Sequence, residues 1–255
     1  MSFNAEKAYK QLIDWIKEYF AGQGEDTIAV LGMSGGKDSL IAAKLCADAI
    51  GSHRVLGVMM PNVAQSDIQD AIDTINYLGI NGMRINIGDM CQAQYDELER
   101  NGIELTPLIT TNVPARMRMV TLYSVAAANH GRVVCTSNES ETYVGYSTKW
   151  GDGVGDFAPL KGLVVREILA IGDYLGLPER FLYKEPADGM TGKTDQDILG
   201  FTYEELDSYI RDKKVPEKVE TLRKIKERHR GCHHKRGHVP VFYYYDPDDD
   251  QRIRF

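Results

Sequence analysis

The chain has 255 residues, of which 43% are hydrophobic and 26% charged, with a formal net charge of −7. That is the balance of a soluble globular protein of one large domain or two small ones. It argues against a general nucleic-acid binder or a protein of acidic membrane surfaces. No apolar run approaches the ~20 residues of a transmembrane helix. The segment from Met1 to Phe20 carries charges throughout, unlike a secretory signal peptide. Cys46, Cys91, Cys135 and Cys232 are widely spaced and form no CxxC pair. They read as reduced, mostly buried thiols, so a cytoplasmic location is expected.

Apolar residues at Ala8, Leu12, Trp15 or Ile16, and Tyr19 follow helical spacing and predict an opening amphipathic helix. TIAVLG (27–32) is short, β-branched and apolar on both faces, as in a strand buried within a parallel sheet. A glycine-rich turn leads into a helix stopped by Gly51. The alternation continues with strand 54–60, helix 64–78, strand 83–88, helix 90–100, a long helix over about 112–129 and the strand RVVCTS (132–137). This rhythm implies right-handed crossovers and an α/β fold, a doubly wound parallel sheet with flanking helices.

Beyond residue 137 the pattern loosens. The polar, glycine-rich and aromatic stretch 137–162 reads as too irregular to be core. Helices return at 163–175 and from Pro178, which suits a first helical turn. Residues 187–197 read as a mobile loop. Thr202 with Glu205 predicts a capping box, and 216–230 a helix that is basic towards its end. No composition break marks a second domain, so 1–255 is expected to be one.

The strongest signal is GMSGGKDS, Gly32, Met33, Ser34, Gly35, Gly36, Lys37, Asp38 and Ser39, between the first buried strand and the next helix. Backbone N–H groups at a helix N-terminus favour an anion there, and the glycines let those amides approach it. A Walker A loop fails on spacing, since Gly32 to Gly36 is one residue short and Asp38 follows Lys37. A dinucleotide G-x-G-x-x-G fails too, because GDGVGD places Asp156 at its third glycine and no strand precedes it. A carboxylate such as Asp38 would repel phosphate unless a cation lies between them.

The loop resembles SGGxDS, the pyrophosphate loop of the N-type ATP pyrophosphatases, which cut ATP between the α- and β-phosphates. The later runs CTSNESETYVGYSTKWGDGVGD, TDQDILGFTYEELD and HKRGHVPVF, in this order, closely resemble the ammonia-dependent NAD synthetases from about residue 9 to 242. The resemblance implies an adenine-nucleotide alpha-hydrolase-like, Rossmann-like fold. It also implies a Mg²⁺-dependent homodimer that uses ATP as co-substrate. In the implied reaction the carboxylate of deamido-NAD attacks the α-phosphate of ATP, pyrophosphate leaves, and ammonia displaces AMP from the adenylated intermediate. A carboxylate is otherwise inert to ammonia, because its leaving group would be oxide.

Residue by residue, the resemblance implies that Gly32–Ser39 and Thr136 contact ATP and that Asp38 and Glu141 hold magnesium. Arg116, Lys149, Asp156, His234 and Lys235 contact deamido-NAD, and Asp152 is the candidate for orienting or deprotonating ammonia. Glu139 is the alternative to Glu141. Two positions depart from the family pattern: Val165 stands where an ATP-contacting lysine is usual, with Lys161 and Arg166 nearby, and Pro186 stands where a serine or threonine is usual.

His229, Cys232, His233, His234 and His238 have no standard zinc spacing. With the adjacent Arg228, Arg230, Lys235 and Arg236, a basic phosphate-binding tail fits the segment better. The 112–129 helix is more apolar than one core face needs, so it is expected at the dimer interface. The first strand begins near residue 27, leaving no room for a nitrilase-like glutaminase region, so ammonia is expected free or from a separate partner. The rival readings are another adenylating enzyme of this superfamily, acting on a different carboxylate or on tRNA, and a non-catalytic adenine-nucleotide sensor.

Overall fold

The computed structural model describes residues 3–63, 68–184 and 194–237. Four strands, β1 (Ile28–Gly32), β2 (Val55–Met59), β3 (Asn81–Arg84) and β4 (Gly131–Val133), form one parallel sheet in the order β3-β2-β1-β4. Ala29 lies opposite Val55 on one side of β1, and Ile28 lies opposite Gly131 on the other. The chain thus winds one way from β1 through β3, then returns to pair β4 on the far side of β1. The gap beyond the carboxyl ends of β1 and β4 is the topological switch point, where open α/β sheets bind ligands.

The pleat explains why both faces of β1 are apolar. Ala29 and Leu31 enter a core with Ile16 and Phe20 of α1 (Ala5–Ala21), Leu40, Ile41 and Leu45 of α2 (Lys37–Ile50), and Ile168 of α7 (Val165–Tyr174). Val30 enters the opposite core with Cys91 of α4 (Gly88–Arg100) and Val113 and Val125 of α5 (Pro107–Ala128). Each such Leu, Ile or Val buried contributes about 1.5–3 kcal/mol. A third cluster joins Val144 of α6 (Glu139–Val144) to Leu206 of α10 (Tyr203–Arg211) and Ile225 of α11 (Val219–Gly231). All four cysteines are free and buried, and burial pushes the Cys46 thiol up to about 12.

The predicted strand–helix alternation is present with shifted ends. The third strand starts and stops early, at Asn81–Arg84, yet the Ile85 and Ile87 amides still donate to Met59 and Pro61 at 2.9 Å each. The helix expected over 90–100 starts at Gly88. The helix expected at 112 begins at Pro107, because Thr106 caps it and Pro107 needs no N–H in the first turn. Its internal Pro114 is accommodated in the buried face. The last predicted strand stops at Val133, and Val134 makes only an isolated bridge to Phe157. Of helix 64–78, the described part is α3 (Ile68–Leu78). Pro178 caps the short helix α8 (Glu179–Leu182) rather than entering it. The Thr202–Glu205 capping box is formed, with bonds of 3.1 and 3.0 Å.

Two expectations need correction. The stretch after residue 137 is core in part: Asn138, Ser140 and Leu160 are fully buried, and residues Glu139–Val144 are helical. The buried Ser140 hydroxyl donates to Asp207 at 2.5 Å, and Asp207 also accepts the Arg166 amide at 2.8 Å. Of the expected loop 187–197, residues up to 193 lie outside the described residues. Beyond them Thr194 caps a helix, α9 (Asp195–Leu199).

Candidate active site

The loop that leaves β1 turns at once into α2. Gly35 adopts φ +79°, and a Cβ there would lie 2.8 Å from Asp70 Cβ and 3.0 Å from the Ala71 amide nitrogen. Only glycine lets the turn press this closely on α3. The Ser34 hydroxyl accepts the Gly36 amide at 3.2 Å, and the Ser39 hydroxyl donates to the Gly36 carbonyl at 3.0 Å. The two hydroxyls lie 3.4 Å apart. This concave turn at a helix N-terminus is an anion cradle. Met33 is buried beneath it, its amide donating to Val58 at 2.9 Å.

The second half of the site leaves β4. Thr136, half-buried, is followed by Asn138, whose side chain accepts the Glu141 amide at 2.9 Å while a Glu141 carboxylate oxygen accepts the Asn138 amide at 3.3 Å. The side-chain nitrogen of Asn138 then donates to Asp38 at 3.4 Å. One buried residue therefore ties together two carboxylates that are distant in sequence, Asp38 through its side-chain amide and Glu141 through its backbone amide. Burial, then repulsion by Asp38, pushes the Glu141 carboxyl up to about 8, against the pull of Lys37 and the Asn138 amide. Glu139 instead lies within the field of Arg211.

Lys37 Nζ sits 3.0 Å from Asp38 with its side chain only 11% exposed. Burial lowers the ammonium's pKa, but Asp38, Glu141 and Asp195 together outweigh it and hold the pKa raised. The Tyr203 ring lies beneath Lys37, 5.8 Å from ring centre to Nζ. Asp195 in turn accepts the hydroxyls of Tyr203 at 3.1 Å and Tyr146 at 2.9 Å.

The remaining residues lie around this centre. Asp152 accepts the Thr148 amide at 2.7 Å, and the Thr148 hydroxyl bonds Asn112 at 2.9 Å, fixing the glycine-rich loop against α5. Arg116 on α5 donates to the Lys149 carbonyl at 3.4 Å. Lys149 Nζ lies 5.5 Å from the ring centre of Trp150, which is exposed and has φ +59°. Asp156 spends one carboxylate oxygen on the Val133 amide at 2.7 Å, which anchors the end of β4. Lys235, on the short helix α12 (His233–Arg236), donates to the Gly145 and Ser147 carbonyls at 2.9 and 2.7 Å, beside exposed His234. Gly145 ends α6 with φ +65°, and a Cβ there would fall 2.1 Å from Cys232 Cβ, so the basic segment packs directly on the helix carrying Glu141.

Val165 is buried, Lys161 is exposed, and Arg166 is committed to Asp212 through two bonds of 2.7 and 2.8 Å. A different lysine, Lys184, pairs with Asp70 beside Gly35. Pro186 and His238 lie outside the described residues. His229 faces the Tyr143 carbonyl at 2.9 Å and Arg236 at 3.1 Å.

Sequence reasoning named neither Asn138 nor the Asp195–Tyr203–Tyr146 group. Asn138 had a readable signal, because Asn three residues before Glu141 is a capping-box pattern.

A parallel sheet with an anion cradle at its switch point and two carboxylates facing that cradle defines the adenine-nucleotide alpha-hydrolase-like class. Comparison with known proteins narrows it. A family profile for NAD synthase matches residues 8–238. The NH3-dependent NAD synthetase of Thermococcus sibiricus is 38% identical over 211 residues, 82% of this chain and 81% of that one. The enzyme of the same description from Archaeoglobus fulgidus is 34% identical over 247 residues, 93% and 97% of the two chains. Among solved structures, an NMN synthetase from Francisella tularensis superposes with a TM-score of 0.86 at 30% identity, covering 95% of this chain and all of that one. An NH3-dependent NAD synthetase from Campylobacter jejuni, crystallised with nitrate, gives 0.76 at 27% identity, covering 95% and 100%. The chain belongs to the NAD synthase family and is a carbon–nitrogen ligase of NAD synthesis.

Proposed function

We propose that this chain amidates deamido-NAD with ammonia in the crevice between the β1 and β4 loops, spending ATP to AMP and pyrophosphate. The observation that carries the reading is the hydrogen-bonded join of Asp38 to Glu141 through Asn138, at the mouth of an anion cradle. The amides and hydroxyls of residues 34–39 stabilise charge on the departing diphosphate. Asp38 and Glu141 are hard oxygen donors. Among the described residues no group of three metal-ligating side chains occurs. Two carboxylates without a closed cage suit Mg²⁺, which keeps waters and takes its other ligands from substrate phosphates. Bound there, Mg²⁺ neutralises charge on the phosphates. Arg116, Lys149 and Lys235 offer positive charge and donors to the dinucleotide, His234 offers a ring nitrogen, and Asp156 offers a carboxylate. Thr136, half-buried just beyond β4, is assigned to ATP. Asp152, oriented by the Thr148 amide, takes the ammonium proton or fixes ammonia for attack.

The test supplies the purified chain with deamido-NAD, ATP, Mg²⁺ and either ammonium or glutamine. Product with ammonium, little with glutamine, and AMP with pyrophosphate in equal amounts are expected. Release of ADP, or turnover with glutamine at the ammonium rate, would refute the reading. The match to the Francisella structure favours one variant of it, amidation of the mononucleotide acid. Comparing kcat/KM for the mononucleotide and dinucleotide acids decides between them.

The working unit is proposed to be a homodimer formed through α5, which leaves Leu108 70% and Val120 48% exposed while Val113, Ala115, Val125 and Ala126 are buried. Val120→Glu is expected to shift the sedimenting species from dimer to monomer while the monomer stays folded by circular dichroism. A wild-type chain that sediments as a monomer would rule the dimer out.

A further inference from the structure

We propose that the Lys37 ammonium is a built-in counter-cation for the Asp38–Glu141 pair, so that the chain takes up its divalent ion together with ATP and scarcely without it. The inference rests on the magnesium reading above and adds a role for Lys37 towards the metal. It concerns where the positive charge sits before nucleotide arrives.

Three observations place that charge. Lys37 Nζ lies 3.0 Å from one Asp38 oxygen, while the other Asp38 oxygen accepts from Asn138 at 3.4 Å. Both oxygens of this carboxylate therefore have donors with no metal bound. Secondly, the lysine is not a solvated surface charge: its side chain is 11% exposed and lies over the Tyr203 ring. That ring is itself held by Asp195, which is bonded on its other side by Tyr146. Thirdly, Asn138 hydrogen-bonds both Asp38 and Glu141, so the ammonium on Asp38 stands at the acidic pair.

The charge arithmetic gives the consequence. Fully ionised, as a bound divalent ion requires them, Asp38 and Glu141 carry two negative charges. Lys37 cancels one of them and occupies an oxygen the ion requires. A free ion would have to displace the ammonium from Asp38 and then remain beside a buried like charge. ATP changes the balance, because its phosphate oxygens accept the ammonium as it leaves Asp38. Lysine suits this exchange, being a compact point charge on a flexible stem with rotatable donors. Lys37 is the first residue of α2, directly after the glycine turn, so its flexible side chain starts at the edge of the cradle.

The experiment titrates Mn²⁺ into the full chain, reading free ion by electron paramagnetic resonance, without nucleotide and then with an α,β-methylene analogue of ATP. Without nucleotide, Lys37→Met should bind Mn²⁺ at least tenfold more tightly than wild type. Lys37→Arg, which keeps the charge, should resemble wild type. With the analogue, wild type should bind Mn²⁺ tightly and the advantage of Lys37→Met should disappear. In EDTA, the analogue's affinity should fall at least tenfold in Lys37→Met. A gain in metal affinity cannot come from a damaged fold. Lys37→Gln, which keeps a polar end, should move in the same direction if the methionine variant folds poorly. Equal Mn²⁺ affinities for wild type and Lys37→Met without nucleotide, with both tight once the analogue is present, would overturn the proposal and leave the magnesium reading standing. No Mn²⁺ binding by any of these proteins even with the analogue would overturn both.

Discussion

Glu141→Gln should lower turnover about a thousandfold while making the metal-free protein more stable at pH 8. The two effects share one cause. The carboxylate is half-buried against Asp38, and its pKa stands near 8 in the fold against a usual value of 4.5. The folded chain therefore holds a proton here that the unfolded chain has already released. Its contribution to stability is complete below pH 4.5 and is lost as pH rises through 8. The glutamine variant has no proton to lose, so its melting temperature should vary less between pH 5 and 8 than that of wild type in EDTA. On the proposed magnesium reading, turnover should fall because the remaining carboxylate cannot by itself hold the ion that neutralises the leaving diphosphate. Such charge stabilisation is worth several kcal/mol, and each ~1.4 kcal/mol is tenfold in rate. Steady-state rates and melting curves at both pH values check this. Wild-type turnover in the variant would remove Glu141 from the reaction.

Gly35→Ala should cost about a hundredfold in kcat/KM for ATP. At φ +79° a side chain is strained by roughly 1–2 kcal/mol. The added Cβ would also meet the start of α3 at 2.8–3.1 Å, two of its three contacts being backbone atoms that cannot swing aside. The relief available is for the loop to move away from α3 and so open the cradle. The KM for ATP should rise more than that for the nicotinate substrate, because the second half of the site hangs from β4. Unchanged ATP kinetics would mean that the amides of this turn do not hold phosphate.

Much of this architecture was legible because its causes are local. TIAVLG is apolar on both faces wherever it lies, and SGGKDS needs only its own backbone and the start of a helix to bind an anion. What escaped depends on partners far along the chain. Residues 138–144 look like a polar loop until Ser140 is seen to be satisfied by Asp207, 67 residues away, and Asn138 by Asp38, 100 residues away. Only the local capping bond of Asn138 to Glu141 is readable in sequence; the distant partners of buried polar side chains are set by tertiary contact. The burial of Lys37 under Tyr203 is of the same kind. Asp156 shows the reverse: a residue carried over as a substrate contact also anchors the end of a strand through Val133. The early start of α5 was written in Thr106 and Pro107, a capping residue followed by a proline suited to the first turn.

The 100-residue span between Asp38 and Asn138 also bears on the newborn chain. A polypeptide emerging from the ribosome folds its amino-terminal part first. That part already contains the complete cradle, but the amide and carboxylate that answer it arrive only once β4 has docked beside β1. An unfinished or truncated molecule ending before residue 131 should therefore be unable to squander ATP, since the half that grips the nucleotide is made well before the half that arms it.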